Sequence, residues 1–171
     1  INYDTAGKIL DARTLDTHLG AADIIDAKAG DNVILGGAGG DTIDAQVGND
    51  VIMGDFGLFE FNTDEAGLST GTVKLAQSTD LGEGGDDTIT TGDGEKLIIG
   101  GFGADKITTG DSDGSSSIAG DNAIIEFYTD GVRKQLKTLD TTNDTGGNDV
   151  IQLGNSISQV LGGIGADARW H

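Results

Sequence analysis

Aspartates recur in this 171-residue chain beside glycines, and the intervals between them repeat. Asp23 and Asp41 stand eighteen residues apart, as do Asp87 and Asp105, and Asp149 and Asp167, while Asn32 and Asp50 keep the same interval. A carboxylate in a glycine turn has two common uses. It accepts hydrogen bonds from its own backbone, or it joins uncovered backbone carbonyls in offering hard oxygen donors to a cation. For a single copy the turn bond is the commoner use. Three pairs at one separation, each flanked by glycines, favour the cation.

Other chemistries find little support. The chain has no cysteine, which removes thiolate metal sites and disulfides. Its two histidines, His18 and His171, flank the repetitive region and suggest no Ser/His/Asp arrangement. The spacing of the acidic pairs follows the repeat, unlike a glycosidase dyad, and no Walker lysine follows the G-x-G strings.

The elements that must position these aspartates are short. Nine residues separate Ile25, Ile34, Ile43 and Ile52, and the period returns at Ile89, Ile98 and Ile107. The units read LGAADIIDA (19–27), KAGDNVILG (28–36), GAGGDTIDA (37–45) and QVGNDVIMG (46–54), then EGGDDTITT (83–91), GDGEKLIIG (92–100) and GFGADKITT (101–109); a third block opens with TGGNDVIQL (145–153). Each joins a Gly/Asp turn to a strand-like triplet, and nine residues leave no room for a turn plus a helix. Fixed short periods signal a stacked repeat architecture.

A fuller pattern appears in GGAGGDTID (36–44), GGFGADKIT (100–108) and GGIGADARW (162–170), the last departing at Arg169. These strings resemble the repeat-in-toxin nonapeptide, a calcium-binding repeat. The resemblance implies an all-β fold, a parallel β-roll in which two nonapeptides make one turn, so that residues eighteen apart lie one above the other. It also implies several calcium ions held by Asp23, Asn32, Gly37, Gly39, Asp41, Gly48, Asp50, Gly85, Asp87, Gly101, Gly103, Asp105, Gly147, Asp149, Gly163, Gly165 and Asp167. Lys96 occupies the second-edge place in the second block, where its ammonium would repel a dication. Calcium is therefore expected along one edge in all three blocks, and along the other only in the first, where Asn32 brings an oxygen without charge.

The repeat is interrupted twice. MGDFGLFEF (53–61) and AGDNAIIEF (119–127) are parallel passages, each closing on a phenylalanine nine residues after an isoleucine. Each is read as one ordinary coil, with Phe61 and Phe127 facing inward and with Phe59 and Ile125 in the place of the calcium aspartate. Residues 62–82 and 128–144 then leave the register as lateral β-hairpins, Asp130-Gly131 supplying a turn signal. The organisation expected is a single domain: a lead-in at 1–18, blocks at 19–61, 83–127 and 145–171, and two hairpins between them. Residues flanking the inward isoleucines divide by sheet. Thr42, Asp44, Thr88, Thr90, Lys106 and Thr108 make one face polar, whereas Val33, Leu35, Val51, Met53, Leu97 and Ile99 make the other an apolar patch that needs a cover. The hairpins, leaving after coils on the polar sheet, are expected to supply it through Leu68, Val73, Leu75, Leu136 and Leu139.

With 29 acidic against 10 basic residues the net charge is −19, which opposes nucleic acid and anionic membranes as partners and favours cations. No apolar run approaches the roughly twenty residues of a membrane span. A start without Met and an end within a repeat point to a fragment of a longer protein. The resemblance adds export by type I secretion and an extracellular or cell-surface location. The function expected is a non-enzymatic calcium-binding structural module, as in a large adhesin, that folds on binding calcium. The alternative is a recognition module that binds glycan or a surface through its hairpins or flat face; neighbouring domains are further expected partners.

Overall fold

The computed structural model describes residues 1–15, 19–112, 114–142 and 144–170, so His18 and His171 lie outside the described residues. Among the described residues the chain forms strands and no helix. It opens with β1 (Asn2–Tyr3) and β2 (Ile9–Arg13), followed by β3 (Ile24–Asp26), β4 (Val33–Leu35), β5 (Thr42–Asp44) and β6 (Asp50–Met53). Next come β7 (Gly57–Thr63), β8 (Ser69–Ser78), β9 (Thr88–Thr90), β10 (Lys96–Gly101), β11 (Lys106–Thr108) and β12 (Ser115–Asp121). The last are β13 (Ala123–Phe127), β14 (Arg133–Thr138), β15 (Val150–Gln152), β16 (Ile157–Leu161) and β17 (Ala168–Trp170).

Two parallel sheets form a β-roll. One runs β3-β5-β9-β11-β15-β17 and the other β4-β6-β10-β12-β16. The chain passes from one to the other at every triplet, so the central residue of each points into the space between them. Ile43, Ile52, Ile89, Ile98, Ile107 and Ile118 are fully buried there, with Ile25 and Val160 packed against them toward the ends. Register is strict: Ile25 lies opposite Ile43, Ile43 opposite Ile89, Ile89 opposite Ile107 and Ile107 opposite Ile151.

A third sheet, antiparallel and ordered β1-β2-β7-β8-β13-β14, packs on the apolar face of the roll. It buries Met53, Leu97, Ile99 and Ala119 against Phe59, Phe61, Ala76, Ala123 and Ile125. Of the five contacts expected, Val73 and Leu136 belong to this cluster. The opposite face is wet, with Thr42, Asp44, Thr90 and Lys106 exposed. Each hairpin contributes two strands for every two coils of the roll. Since strands repeat at about 4.8 Å in either kind of sheet, the third sheet keeps step with the roll along its whole length.

The structure corrects three expectations about the interruptions. Phe61 and Phe127 are not in the inward column of the roll; both lie in the third sheet, as do Phe59 and Ile125, which belong to the core between that sheet and the roll. Strand β7 begins at Gly57, ahead of the expected boundary at Asn62, and the chain leaves from β6 and β12 on the apolar sheet. The cause is a contest of periods. Phe59 and Phe61 alternate onto one face of β7 and bury against Met53 and Leu97, which outweighs the nine-residue coincidence with Ile52. Finally, residues 2–13, expected to be part of a lead-in, form an antiparallel β1–β2 pair joined to β7 through β2. The molecule is thus three successive units, each an antiparallel hairpin followed by coils of the roll.

Candidate metal centre

Where the chain returns from the apolar sheet to the polar sheet, the aspartates form a continuous ladder. Asp41 Oδ1 accepts the Asp23 backbone N–H at 2.7 Å, Asp87 that of Asp41 at 2.6 Å, Asp105 that of Asp87 at 2.8 Å, Asp149 that of Asp105 at 2.9 Å, and Asp167 that of Asp149 at 3.2 Å. The rungs from Asp41 to Asp87 and from Asp105 to Asp149 bridge both inserts. The hairpins are therefore looped out without breaking the edge.

Each carboxylate spends one oxygen on this ladder and keeps the other. Oδ2 of Asp41, Asp87, Asp105 and Asp149 is buried and has no hydrogen-bond partner. These four atoms point at the glycines that end the apolar-sheet strands. A methyl built on Gly36, Gly54, Gly100 or Gly120 would overlap Oδ2 of Asp41, Asp87, Asp105 or Asp149 respectively, and it would also crowd the carbonyl oxygen of Gly54, Gly100, Gly120 or Gly162 in the adjacent coil. The bare glycine thus leaves, at every step, a small space lined by a carboxylate oxygen and a carbonyl oxygen. Among the described residues no three carboxylate, imidazole or thiol side chains converge, so a cation here would complete its shell with backbone oxygens, as a hard ion accepts.

The electrostatics lack a positive charge. Burial, reinforced by the neighbouring Asp87, Asp149 and Asp55 carboxylates, pushes Asp105 up to about 10. Asp87 and Asp149 each rise to about 7, chiefly through burial and against the hydrogen bond each accepts from the ladder. Asp41 is raised for the same reason.

The expected glycines divide into two roles. Gly37, Gly101 and Gly163 have φ of 110°, 124° and 122°, left-handed values that turn the chain back after the strand. Gly39, Gly85, Gly103, Gly147 and Gly165 lie against the backbone of the preceding coil, where a side chain would separate the turns. The glycines that face the unpartnered Oδ2 atoms are a further set, Gly36, Gly54, Gly100 and Gly120. Sequence reading passed over that column, although it is visible as the glycine closing VILG, VIMG, LIIG and SIAG.

Two further acids were missed. Asp55 and Asp121 replace the second glycine at the departure points of the inserts. Asp55 Oδ1 accepts Gly85 N–H at 3.0 Å and its Oδ2 accepts Phe102 N–H at 2.6 Å; Asp121 accepts Gly147 N–H at 2.8 Å and Ile164 N–H at 2.5 Å. Each carboxylate closes the turn from which a hairpin has been looped out. Burial, then the neighbouring Asp87, pushes Asp55 up to about 9, and burial lifts Asp121 to about 6.

The second edge differs. Asp50 Oδ1 accepts the Asn32 backbone N–H at 3.1 Å and its side-chain amide at 2.9 Å, while Asp50 Oδ2 lies 3.3 Å from Lys96 Nζ. Both side chains of the ion pair are fully enclosed. The carboxylate of Asp50, where calcium is expected beside Asn32, thus faces the ammonium of Lys96, the lysine expected to repel an ion. Gly48 stands beside this pair, its carbonyl accepting from Lys96 Nζ.

The fold and this edge define a two-sheet parallel roll of short repeats in which buried carboxylate oxygens without hydrogen-bond partners stand beside backbone carbonyls. Within the chain, residues 20–57 and 81–115 match the RTX calcium-binding nonapeptide repeat in four copies. No curated protein and no solved structure matches the chain. The repeat is a structural, calcium-binding one.

Proposed function

We propose that residues 1–171 act as one calcium-dependent structural module of a secreted or cell-surface bacterial protein, folded and stiffened by calcium along the first edge. The observation that carries this reading is the column of buried, unpartnered Oδ2 atoms. Asp41, Asp87, Asp105 and Asp149 would hold the ions together with the carbonyls of Gly54, Gly100, Gly120 and Gly162, while the exposed Asp23 and Asp167 would close the two ends. Calcium supplies the positive charge that the ladder lacks. Because the unfolded chain does not present these oxygens together, binding energy becomes folding energy. Such a role needs no catalytic group, and extracellular calcium is abundant enough for sites of roughly 10⁻⁴ to 10⁻³ M affinity.

The test is a calcium titration followed by circular dichroism. A loosened or unfolded chain in chelator should become β-rich and compact in millimolar calcium. An unchanged spectrum and melting temperature in excess chelator would sink the reading.

A second reading, recognition of a glycan, rests on a groove of about 770 Å³ between the roll and the third sheet, whose lining includes Tyr3, Phe61, Phe127, Asp31 and Glu95. Aromatic and acidic groups together suit sugar faces and hydroxyls. Calorimetry against neutral oligosaccharides in calcium tests it, and no heat from any of them would leave the structural reading alone.

A further inference from the structure

We propose that the second edge carries its own cation: the Lys96 ammonium stands in a calcium-type oxygen site between adjacent coils, and that site accepts a calcium ion when an acid replaces the lysine. The choice of calcium rests on the reading above; the role of the ammonium does not.

Lys96 begins β10 and pairs in register with Asp50 of β6, so it stands one coil beyond an aspartate, where the repeat would place another acid. Its side chain turns inward. Nζ lies 3.3 Å from Asp50 Oδ2, donates to Asp93 O at 3.0 Å and donates to Gly48 O. An ammonium has three hydrogens and no acceptor; it donates to the two carbonyls, and Asp50 Oδ2, which accepts no hydrogen bond, faces it as the counter-charge of an ion pair. The first edge lines its spaces with the same two kinds of oxygen. There Oδ2 has no partner; here the matching Oδ2 has a cation supplied by the chain itself.

Charge balance explains why a lysine suits this place. First-edge carboxylates have another carboxylate one coil above and one below. Asp50 has Asn32 on one side and Lys96, followed by Ser116, on the other. A single charge therefore neutralises the lone acid, whereas a divalent ion would leave a buried excess of positive charge. The enclosure is complete. Lys96 is held from the backbone as well, its N–H donating to Ser116 Oγ at 3.1 Å.

The experiment compares the wild type with Lys96→Asp and with the double variant Lys96→Asp/Asp50→Asn. Bound calcium is counted after equilibrium dialysis, and melting is followed in chelator and in calcium. Lys96→Asp should bind one ion more per chain than the wild type, and adding Asp50→Asn should abolish the gain. In chelator Lys96→Asp should melt lower by on the order of 10 °C, and millimolar calcium should restore it. Unchanged stoichiometry in a folded Lys96→Asp overturns the proposal, as does a variant that stays unfolded in millimolar calcium. A wild type that binds no calcium overturns the reading of the first edge instead. In that case Lys96→Ala melting in chelator still decides the role of the ammonium: a loss supports it and no loss refutes it.

Discussion

Along the first edge Asp41, Asp87, Asp105 and Asp149 follow one another without a positive side chain among them, whereas the second edge runs Asn32, Asp50, Lys96 and Ser116. Both edges turn the same nonapeptide between the same two sheets. The first concentrates buried negative charge and leaves an oxygen free at each step; the second spends its one buried acid on a buried lysine. Under the proposed function, the residue at one position of each turn, rather than the shared geometry, sets whether an edge calls for calcium.

The largest expected consequence is an opposite response to pH with and without calcium. In the calcium-free fold Asp105 is raised to about 10, Asp55 to about 9, Asp87 and Asp149 to about 7 and Asp121 to about 6, against 3.8 for the ordinary group. The folded chain thus holds protons that the unfolded chain releases. The cost of folding is absent below about pH 4 and grows as the pH climbs through each raised value. In chelator the melting temperature should therefore rise on acidification from about pH 9 to about pH 5. In calcium it should fall over the lower part of that window, because protons compete for the ligands. Parallel melting curves under both conditions would break the contrast between the edges.

Next in size is Asp105→Asn, which should change sign with calcium. With calcium, losing one site costs about 2.7 kcal/mol at a hundredfold excess of free ion over Kd. In chelator the same change removes a carboxyl that folding must keep protonated far above its ordinary range, so the melting temperature should rise. Leu97→Lys, on the face covered by the third sheet, provides the control: Leu97 is 7% exposed in the second core. Burying that charge should cost a few kcal/mol under both conditions and leave calcium stoichiometry unchanged. An Asp105→Asn variant that lost stability equally in calcium and chelator would reduce the first edge to ordinary turn bonding.

The parts of this arrangement that could be read from sequence are those that recur within a block. Eighteen-residue intervals gave Asp41 above Asp23 and Asp105 above Asp87, and alternation within the triplets gave a wet face and a face needing a cover. What failed depends on distances that no local period carries. The rung from Asp41 to Asp87 spans an insert, and an insert's length says nothing about where the coil resumes. Phe61 lay nine residues beyond Ile52 by coincidence, and only its packing beside Phe59 reveals β7 as part of another sheet. Asp55 and Asp121 hid because the pattern expects glycine there. Lys96 was read as an absence, a place where calcium could not go, because sequence shows the charge but not the oxygens gathered around it.

The smallest expected effects concern an outer ladder common to both edges. Asp86 Oδ1 on the first edge accepts the Ala104 N–H at 2.8 Å, and Asp93 Oδ1 on the second accepts the Asp111 N–H at 2.9 Å. Both bonds are exposed and join successive coils in the same way. Replacing either aspartate by alanine should cost about 1 kcal/mol, as for an ordinary hydrogen bond. The neighbourhoods differ, because the Asp86 charge helps to hold the Asp87 carboxyl above its ordinary range. Removing it relieves repulsion on the first edge only while no ion is bound. Asp86→Ala should therefore lose less stability in chelator than in calcium, while Asp93→Ala loses the same in both. Melting the two variants side by side checks this, and equal losses for Asp86→Ala in both conditions would show that the uncompensated charge of the first edge does not reach its outer row.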